Sequence, residues 1–539
     1  MSTKNVLFAS DAREKILKGT TRLADAVRLT LGPKSKSVLI QRKWGTPLVC
    51  NDGVTIAKEL ELADPDENLG AQMLRQAAEK TGDVVGDGTS TATVLAQAIY
   101  ADGVRNVTAG ASAIDLKRGL DRALAAAVRA LREQARPVSS RKEKAQVATI
   151  SAHNDPTIGD MVADAMEKVG GDGVITVEES KTTDTTLEVV EGMQFDRGYA
   201  SPYFVTDPNA MQAVLEEAYV LICDRKLNLL KDLLALLEQV AKSGRPIAFI
   251  AEDIEAECLA TLIVNQMRGV LKSVAVKSPG FGDRRKAMLQ DIAVLTGGQV
   301  VSEELGMKLE DVGLEQLGRV RRIVVDKDKT TLIGGAGRAE DIKARVATLR
   351  KEKEDSQSEY DKEKLEERIA RLSGGVAVIR VGAPSESEMK ARKDALDDAI
   401  HSTQAAVLEG IVPGGGLALL RCTNAILALE RESEGDERTG VQILRRALAA
   451  PARSIAENSA ADPGVVIDRM LGAAGNVGFD AATQRYVDLY EAGIVDPVKV
   501  VRTALENAVS VASVLLLTEA TMTEKPEPKP REPVAAPEF

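Results

Sequence analysis

The sequence predicts a multidomain α/β (α+β) protein, mainly helical at both ends and α/β in the middle. Three observations carry this. Apolar residues recur at helical spacing over roughly the first 130 residues and again after residue 416. Between about 174 and 335, β-rich runs alternate with helical patterns, as in a layered α/β domain. At 539 residues the chain is long enough for roughly three or four domains.

Residues 11–31 place Ile16, Leu17, Leu23, Ala24, Val27 and Leu31 at helical period, and Gly32-Pro33 stops that helix. Short strand-like runs follow at 38–41 and 48–49, then helical patterns at about 65–80, 89–108 and 115–134. In the middle, the runs at 219–223 and 246–250 read as strands, and 229–242 and 255–268 as helices. The highly charged stretch 338–372 reads as an exposed helix or helical pair supported by i,i+4 ion pairs. A strand at 376–379 and a helix at 385–409 come next. After Pro413-Gly414-Gly415-Gly416 the chain reads as helical to about 518, and the Pro-, Glu- and Lys-rich stretch 524–539 as a disordered tail.

A hydrophobic content of 44% with 28% charged residues describes a globular chain with ample core material. Aromatics are 3%, so Leu, Val, Ile and Ala must fill the core. The net charge of −11 argues against a general nucleic-acid binder. Cys50, Cys223, Cys258 and Cys422 are scattered, which fits neither a disulfide framework nor a zinc site. With only His153 and His401, a histidine metal centre or a Ser-His-Asp triad is disfavoured. The N-terminus lacks a signal-peptide pattern and no apolar run reaches membrane-span length, so a cytoplasmic location with no membrane partner is expected.

The richest chemistry lies in Gly86-Asp87-Gly88-Thr89-Ser90-Thr91, followed by the apolar helical run through Val94, Leu95, Ala98 and Ile99. A helix start with free N–H groups suits phosphate. A carboxylate beside it calls for a hard cation such as Mg²⁺ as the bridge. No G-x-x-x-x-G-K-[ST] run occurs, so this is not a P-loop. The same residues also read as a plain helix start after a glycine turn. Thr30-Leu31-Gly32-Pro33, Asn51-Asp52-Gly53-Val54 and Pro413-Gly414-Gly415-Gly416 are further small-residue turns. A composite pocket follows if both ends of the chain meet in one domain with the α/β segment inserted between them.

Together with residues 190–199 (Val-Glu-Gly-Met-Gln-Phe-Asp-Arg-Gly-Tyr) and 279–286 (Pro-Gly-Phe-Gly-Asp-Arg-Arg-Lys), these motifs make the chain resemble the group I chaperonins, the GroEL and Hsp60 type, from residue 4 to about 523. The resemblance implies a GroEL-like fold: an equatorial ATPase domain at 1–134 and 410–523, an intermediate hinge domain at 135–190 and 376–409, and an apical domain at 191–375. It implies an ATP-driven folding chaperone that takes non-native polypeptides, a small GroES- or Hsp10-type co-chaperonin lid, and homo-oligomeric seven-membered rings, usually stacked in pairs. ATP, Mg²⁺ and K⁺ are the implied cofactors.

By the same resemblance, Asp87 ligates Mg²⁺, and Thr30, Leu31, Gly32, Pro33, Gly88, Thr89, Ser90 and Thr91 surround the phosphates. Gly415, Asp480, Ala481, Ala482 and Asp496 contact the nucleoside. Asp398 orients the attacking water and Asp52 assists. Asn51 stands where well-known members carry Lys, Ser90 replaces Thr, Asp480 sits where Asn is common, and the tail lacks Gly-Gly-Met repeats. Tyr199, Tyr203, Phe204, Leu234, Leu237, Leu259, Ile263 and Val264 correspond to the family's groove for polypeptide and co-chaperonin. By helical spacing alone, Leu230, Leu233, Leu234 and Leu237 form a stripe of the kind that is usually core, and the resemblance reverses that preference for its outward members. The competing reading is a divergent paralogue, an oligomeric scaffold or specialised binder with weak ATPase. Asp52, Asp87 and Asp398 favour the ATPase and the altered tail allows the alternative. A small-molecule kinase would need a second-substrate motif, and none is evident.

Overall fold

The computed structural model describes residues 4–41, 47–170, 173–180, 182–208, 210–302, 306–356 and 358–524. The chain divides into two compact units: Met1–Ala163 with Asp394–Phe539, and Asp164–Lys393.

The first unit is built on long helices, Ala9–Arg28, Pro65–Val85, Thr89–Thr108, Ala113–Glu133, Gly435–Ala447 and Val498–Leu516. Their apolar faces share one core that includes Leu23, Leu74, Leu95, Ile99, Tyr100, Leu120, Leu444 and Leu505. Small residues let the helices approach closely. A Cβ at Gly119 would fall 2.0 Å from the carbonyl oxygen of Glu437. Local signals set several helix starts: Asp64 caps Pro65–Val85 and Ser112 caps Ala113–Glu133. The two chain ends pair, Lys4–Phe8 lying antiparallel to Ala520–Glu524 with Lys4 opposite Glu524. The side chains of Thr521 and Thr523 donate to the buried Asp66 carboxylate. Glu524, which the composition places in the expected tail, instead closes this strand pair, and its carboxylate meets Lys4 at 3.1 Å. The remainder of the expected tail, 525–539, lies outside the described residues.

The second unit carries a seven-stranded mixed sheet. Its main path runs Gly192–Phe195, Thr330–Gly335, Gly318–Val325, Ala213–Cys223, Ile247–Ala251 and Ser273–Lys277, with Val300–Val301 pairing Ala213–Cys223. Ala213–Cys223, Ile247–Ala251 and Ser273–Lys277 are parallel, joined through the helices Leu234–Ser243 and Ala256–Met267. This is the expected alternation, and the continuously apolar middle strand Ile247–Ala251 is buried along its length, as a two-sided sheet requires. A separate three-stranded sheet has Val376–Val381 between Val174–Glu179 and Thr186–Val190.

The charged stretch is two helices, Ala339–Asp355 and Glu359–Ser373, the helical pair that the sequence allowed. Two departures from the sequence expectation stand beside this. The predicted helix 229–242 opens as a 3₁₀ turn, Leu230–Leu233, before Leu234–Ser243. The chain after 416 is not wholly helical: Val477–Asp480 and Arg485–Asp488 form a hairpin, and Val495–Pro497 pairs with Ile411–Pro413. These short strands are stabilised by a partner distant in sequence or by a tight turn, which helical periodicity does not register.

The charged helical pair is anchored by one buried group. Asp291, on helix Gly282–Thr296 and 1% exposed, accepts from Arg345 Nε at 2.8 Å and from Arg368 Nε and Nη2 at 2.7 and 3.0 Å. Removing the carboxylate strands two guanidinium groups. Asp291→Ala is expected to destabilise this unit by about 3–5 kcal/mol. Denaturant unfolding checks the value, and a loss under about 1 kcal/mol would refute the anchoring role.

Candidate functional site

The helix Thr89–Thr108 starts at Gly88, which has φ +77° and provides no side-chain cap. Its leading N–H groups, at Thr89, Ser90 and Thr91, are therefore left for a ligand or water. The preceding helix ends at Gly86, φ +71°, so the two left-handed glycines reverse the chain around Asp87. Neither tolerates a side chain: a Cβ at Gly86 would fall 2.5 Å from His401 Cβ, and one at Gly88 2.7 Å from Val500 Cγ1.

Asp87 is held by three donors. Its Oδ1 accepts the Gly88 N–H, and its Oδ2 accepts the hydroxyls of Ser151 and Ser402, the latter at 2.7 Å. Thr30 Oγ1 lies 2.8 Å from Ser90 Oγ and also bonds the Val27 carbonyl. Leu31, Gly32 and Pro33 continue the same turn, held by Asn458 Nδ2, which donates to the Arg28 and Leu31 carbonyls at 2.8 Å each. Asn51 and Asp52 lead into the helix Gly53–Glu59. Asp52 caps it, accepting from the Val54 and Thr55 N–H groups at 3.2 and 2.9 Å. Gly53 packs so closely on Ser90 that a Cβ there would sit 2.1 Å from Ser90 Oγ. Thus three turns distant in sequence surround one helix start.

The late segments join through Asp496. It lies on Val495–Pro497, opposite Val412, and its Oδ1 would be 3.2 Å from a Cβ on Gly414. Gly415 has φ +61°, and a Cβ there would meet only the Phe479 carbonyl, at 3.6 Å, so its outer side is open. Asp480 follows Phe479 and spends its carboxylate on the turn, accepting the Ala482 N–H at 2.9 Å. Ala481 is buried and Ala482 exposed.

The electrostatics are those of an anionic cluster. Burial, then the negative charges of Asp87 and Asp52, push the Asp398 carboxyl well above the usual range. Burial, followed by Asp87, raises Asp496 to about 7. Opposing carboxylates brought together in low dielectric favour a cation between them. No group of three or more His, Cys, Asp or Glu among the described residues forms a metal cage. Mg²⁺ does not need one, since it is often held by one or two carboxylates together with substrate phosphates.

The residues expected to bind polypeptide lie in the second unit and do not all behave alike. Tyr203, Leu234 and Val264 are exposed, at 67%, 48% and 43%. Tyr199, just before the turn Pro202–Phe204, is half-buried, as are Leu259 and Ile263 on the helix of Val264. Phe204 and Leu237 depart from the expectation: both side chains are buried. The buried stripe of this helical segment is Leu233, Leu236, Leu237 and Val240, so Leu237 packs inward while Leu234 points away. Phe204 likewise packs into the core beneath Tyr203. The sequence reading missed Leu229, Met267 and Val270, which are exposed on the adjoining segments. Helical continuation from Val264 to Met267 was the available signal. Ser151 and Ser402 were also missed. Ser402 is four residues after Asp398, but only the fold brings both hydroxyls to Asp87.

The chain matches the TCP-1/cpn60 chaperonin family over residues 23–526. It is also 72% identical over 529 residues, 98% of each chain, to Chaperonin GroEL 5 of Bradyrhizobium diazoefficiens. The chain belongs to the TCP-1/cpn60 chaperonin family. It is a GroEL-type chaperonin, an ATP hydrolase that drives protein folding. In this chaperonin the uncapped helix start beside Asp87 supplies the kind of anion site that nucleotide chemistry needs.

Proposed function

We propose that this chaperonin binds and hydrolyses ATP at the start of helix Thr89–Thr108. The observation that carries the reading is the uncapped N-terminus at Gly88 with Asp87, Asp52 and Asp398 gathered beside it. Thr89, Ser90 and Thr91, with Thr30, Leu31, Gly32, Pro33 and Gly88, cradle the phosphates through N–H and hydroxyl groups. Gly415, Asp496 and the turn Asp480-Ala481-Ala482 receive the nucleoside. Asp87 holds Mg²⁺, which when bound neutralises phosphate charge. Asn51, on the same turn as Asp52, lies beside the nucleotide or K⁺. Asp398 orients the attacking water, assisted by Asp52, so positioning and charge do most of the work, as in other phosphoryl transfers.

The same reading divides the chain into an equatorial domain at 1–134 and 410–523, an intermediate domain at 135–190 and 376–409, and an apical domain at 191–375. Tyr203, Leu234 and Val264, flanked by Tyr199, Leu259 and Ile263, offer apolar surface to non-native polypeptides, whose shared feature is exposed apolar surface. A GroES-type co-chaperonin closes over the same face of a homo-oligomer of stacked seven-membered rings, working in the cytoplasm. Among the described residues no helix is long and apolar enough to cross a membrane.

Asp87→Ala is expected to lower Mg²⁺-dependent ATP hydrolysis by at least about 100-fold, the scale of losing several kcal/mol of charge stabilisation. Steady-state hydrolysis titrated with Mg²⁺ checks this. An unchanged Mg²⁺ dependence would remove Asp87 from the metal site.

A further inference from the structure

Ser402 lies inside the helix Glu386–Glu409 and is fully buried. A buried serine within a helix commonly returns its hydroxyl to the carbonyl four residues back. The neighbouring Thr403 does this, bonding Ala399 O at 2.6 Å. Ser402 instead reaches across to Asp87 Oδ2 at 2.7 Å. Ser151, the last residue of helix Arg141–Ser151, donates to the same oxygen, and the two hydroxyls lie 3.0 Å apart. Each hydroxyl has one proton; Ser402 gives its proton to Asp87, and Ser151 Oγ has both Asp87 Oδ2 and Ser402 Oγ within donating distance. The Gly88 N–H takes Oδ1. Of about four acceptor positions on a carboxylate, these donors occupy three and leave one on Oδ1.

The placement of Ser402 gives this contact a consequence. Asp398 is one helical turn before it, so both side chains leave the helix on the same face. The charges of Asp87 and Asp398 repel, which tends to lift this face away from the site. The Ser402 hydroxyl works against this repulsion at the site itself, while the Glu409–Arg502 ion pair and the contact of Ala405 with Val85 and Val500 hold the helix further along.

We propose that Ser402, together with Ser151, is a positioning residue for ATP hydrolysis, latching the Asp398 helix to the Asp87 carboxylate. The latch fixes the distance between the cation-binding carboxylate and the water-orienting one, and leaves one Oδ1 position of Asp87 for the cation it would hold. This rests on the roles of Asp87 and Asp398 proposed above.

The test uses the full-length protein and three variants: Ser402→Ala, Asp87→Ala and the double variant. Amide hydrogen exchange of residues 394–409 is measured without nucleotide, alongside single-turnover hydrolysis and ATP affinity. Losing a hydrogen bond to a charged group is worth about tenfold or more. Ser402→Ala is therefore expected to speed exchange over 394–409 about tenfold while the interior of helix Thr89–Thr108 stays protected. It should also slow single-turnover hydrolysis about tenfold with ATP affinity nearly unchanged. In the Asp87→Ala background, Ser402→Ala should add nothing to the exchange, because the acceptor is already gone. Unchanged exchange and turnover in Ser402→Ala overturns the latch, as does an equal exchange effect with and without Asp87. If Asp87→Ala keeps full Mg²⁺-dependent hydrolysis, the site assignment fails instead, and the latch loses its catalytic meaning even if the exchange coupling persists.

Discussion

Asp398→Ala should bind ATP with nearly native affinity and hydrolyse it about 10²–10⁴-fold more slowly, the range for losing a group that positions or activates water. The carboxylate is buried beside Asp87 and Asp52, where its charge is disfavoured. Removing it relieves repulsion in the ground state, so binding is not weakened. The loss falls on the transition state, where the water must be oriented, and an interaction used only there lowers turnover rather than affinity. Single-turnover hydrolysis and equilibrium ATP binding on the same variant separate the two. A variant that hydrolyses ATP at the native rate refutes the assignment.

The second large effect divides two leucines three residues apart. Leu237→Glu is expected to destabilise the second unit by about 3–5 kcal/mol, because a carboxylate would be buried among Leu233, Leu236 and Val240 without a partner. Leu234→Glu, at a side chain that is 48% exposed, should change stability by no more than about 0.5 kcal/mol. It should nevertheless abolish capture of unfolded protein and docking of the co-chaperonin, since a carboxylate in an apolar contact must be desolvated. Thermal unfolding and a capture assay on each variant provide the check. Early melting of Leu234→Glu, or normal capture by it, removes Leu234 from the binding surface. Normal melting of Leu237→Glu removes Leu237 from the core.

Much of the fold was legible because periodicity is a local property. The helices around Leu23, Leu95 and Leu120 and the strands expected at 219–223 and 246–250, found within Ala213–Cys223 and as Ile247–Ala251, declare themselves through the spacing of their own apolar residues. The Gly86-Asp87-Gly88 turn was legible for a related reason. Two glycines flanking a carboxylate ahead of hydroxyl residues leave few backbone options, and the structure gives both glycines positive φ.

What the sequence left open depends on which groups meet. The stripe through Leu230, Leu233, Leu234 and Leu237 has helical period, but its phase relative to the core follows from the sheet it packs on, and that choice buried Leu237 and exposed Leu234. The pairing of the chain ends, and of Val495–Pro497 with Ile411–Pro413, needs partners far away in sequence, which no window of residues contains. The same holds for the latch. By itself, the sequence determined the elements, the glycine turn and the acidic residues available for chemistry. Only the tertiary structure brought Ser151 and Ser402, 251 positions apart, to one oxygen of Asp87, because a hydrogen bond between distant residues exists only after the helices carrying them have packed.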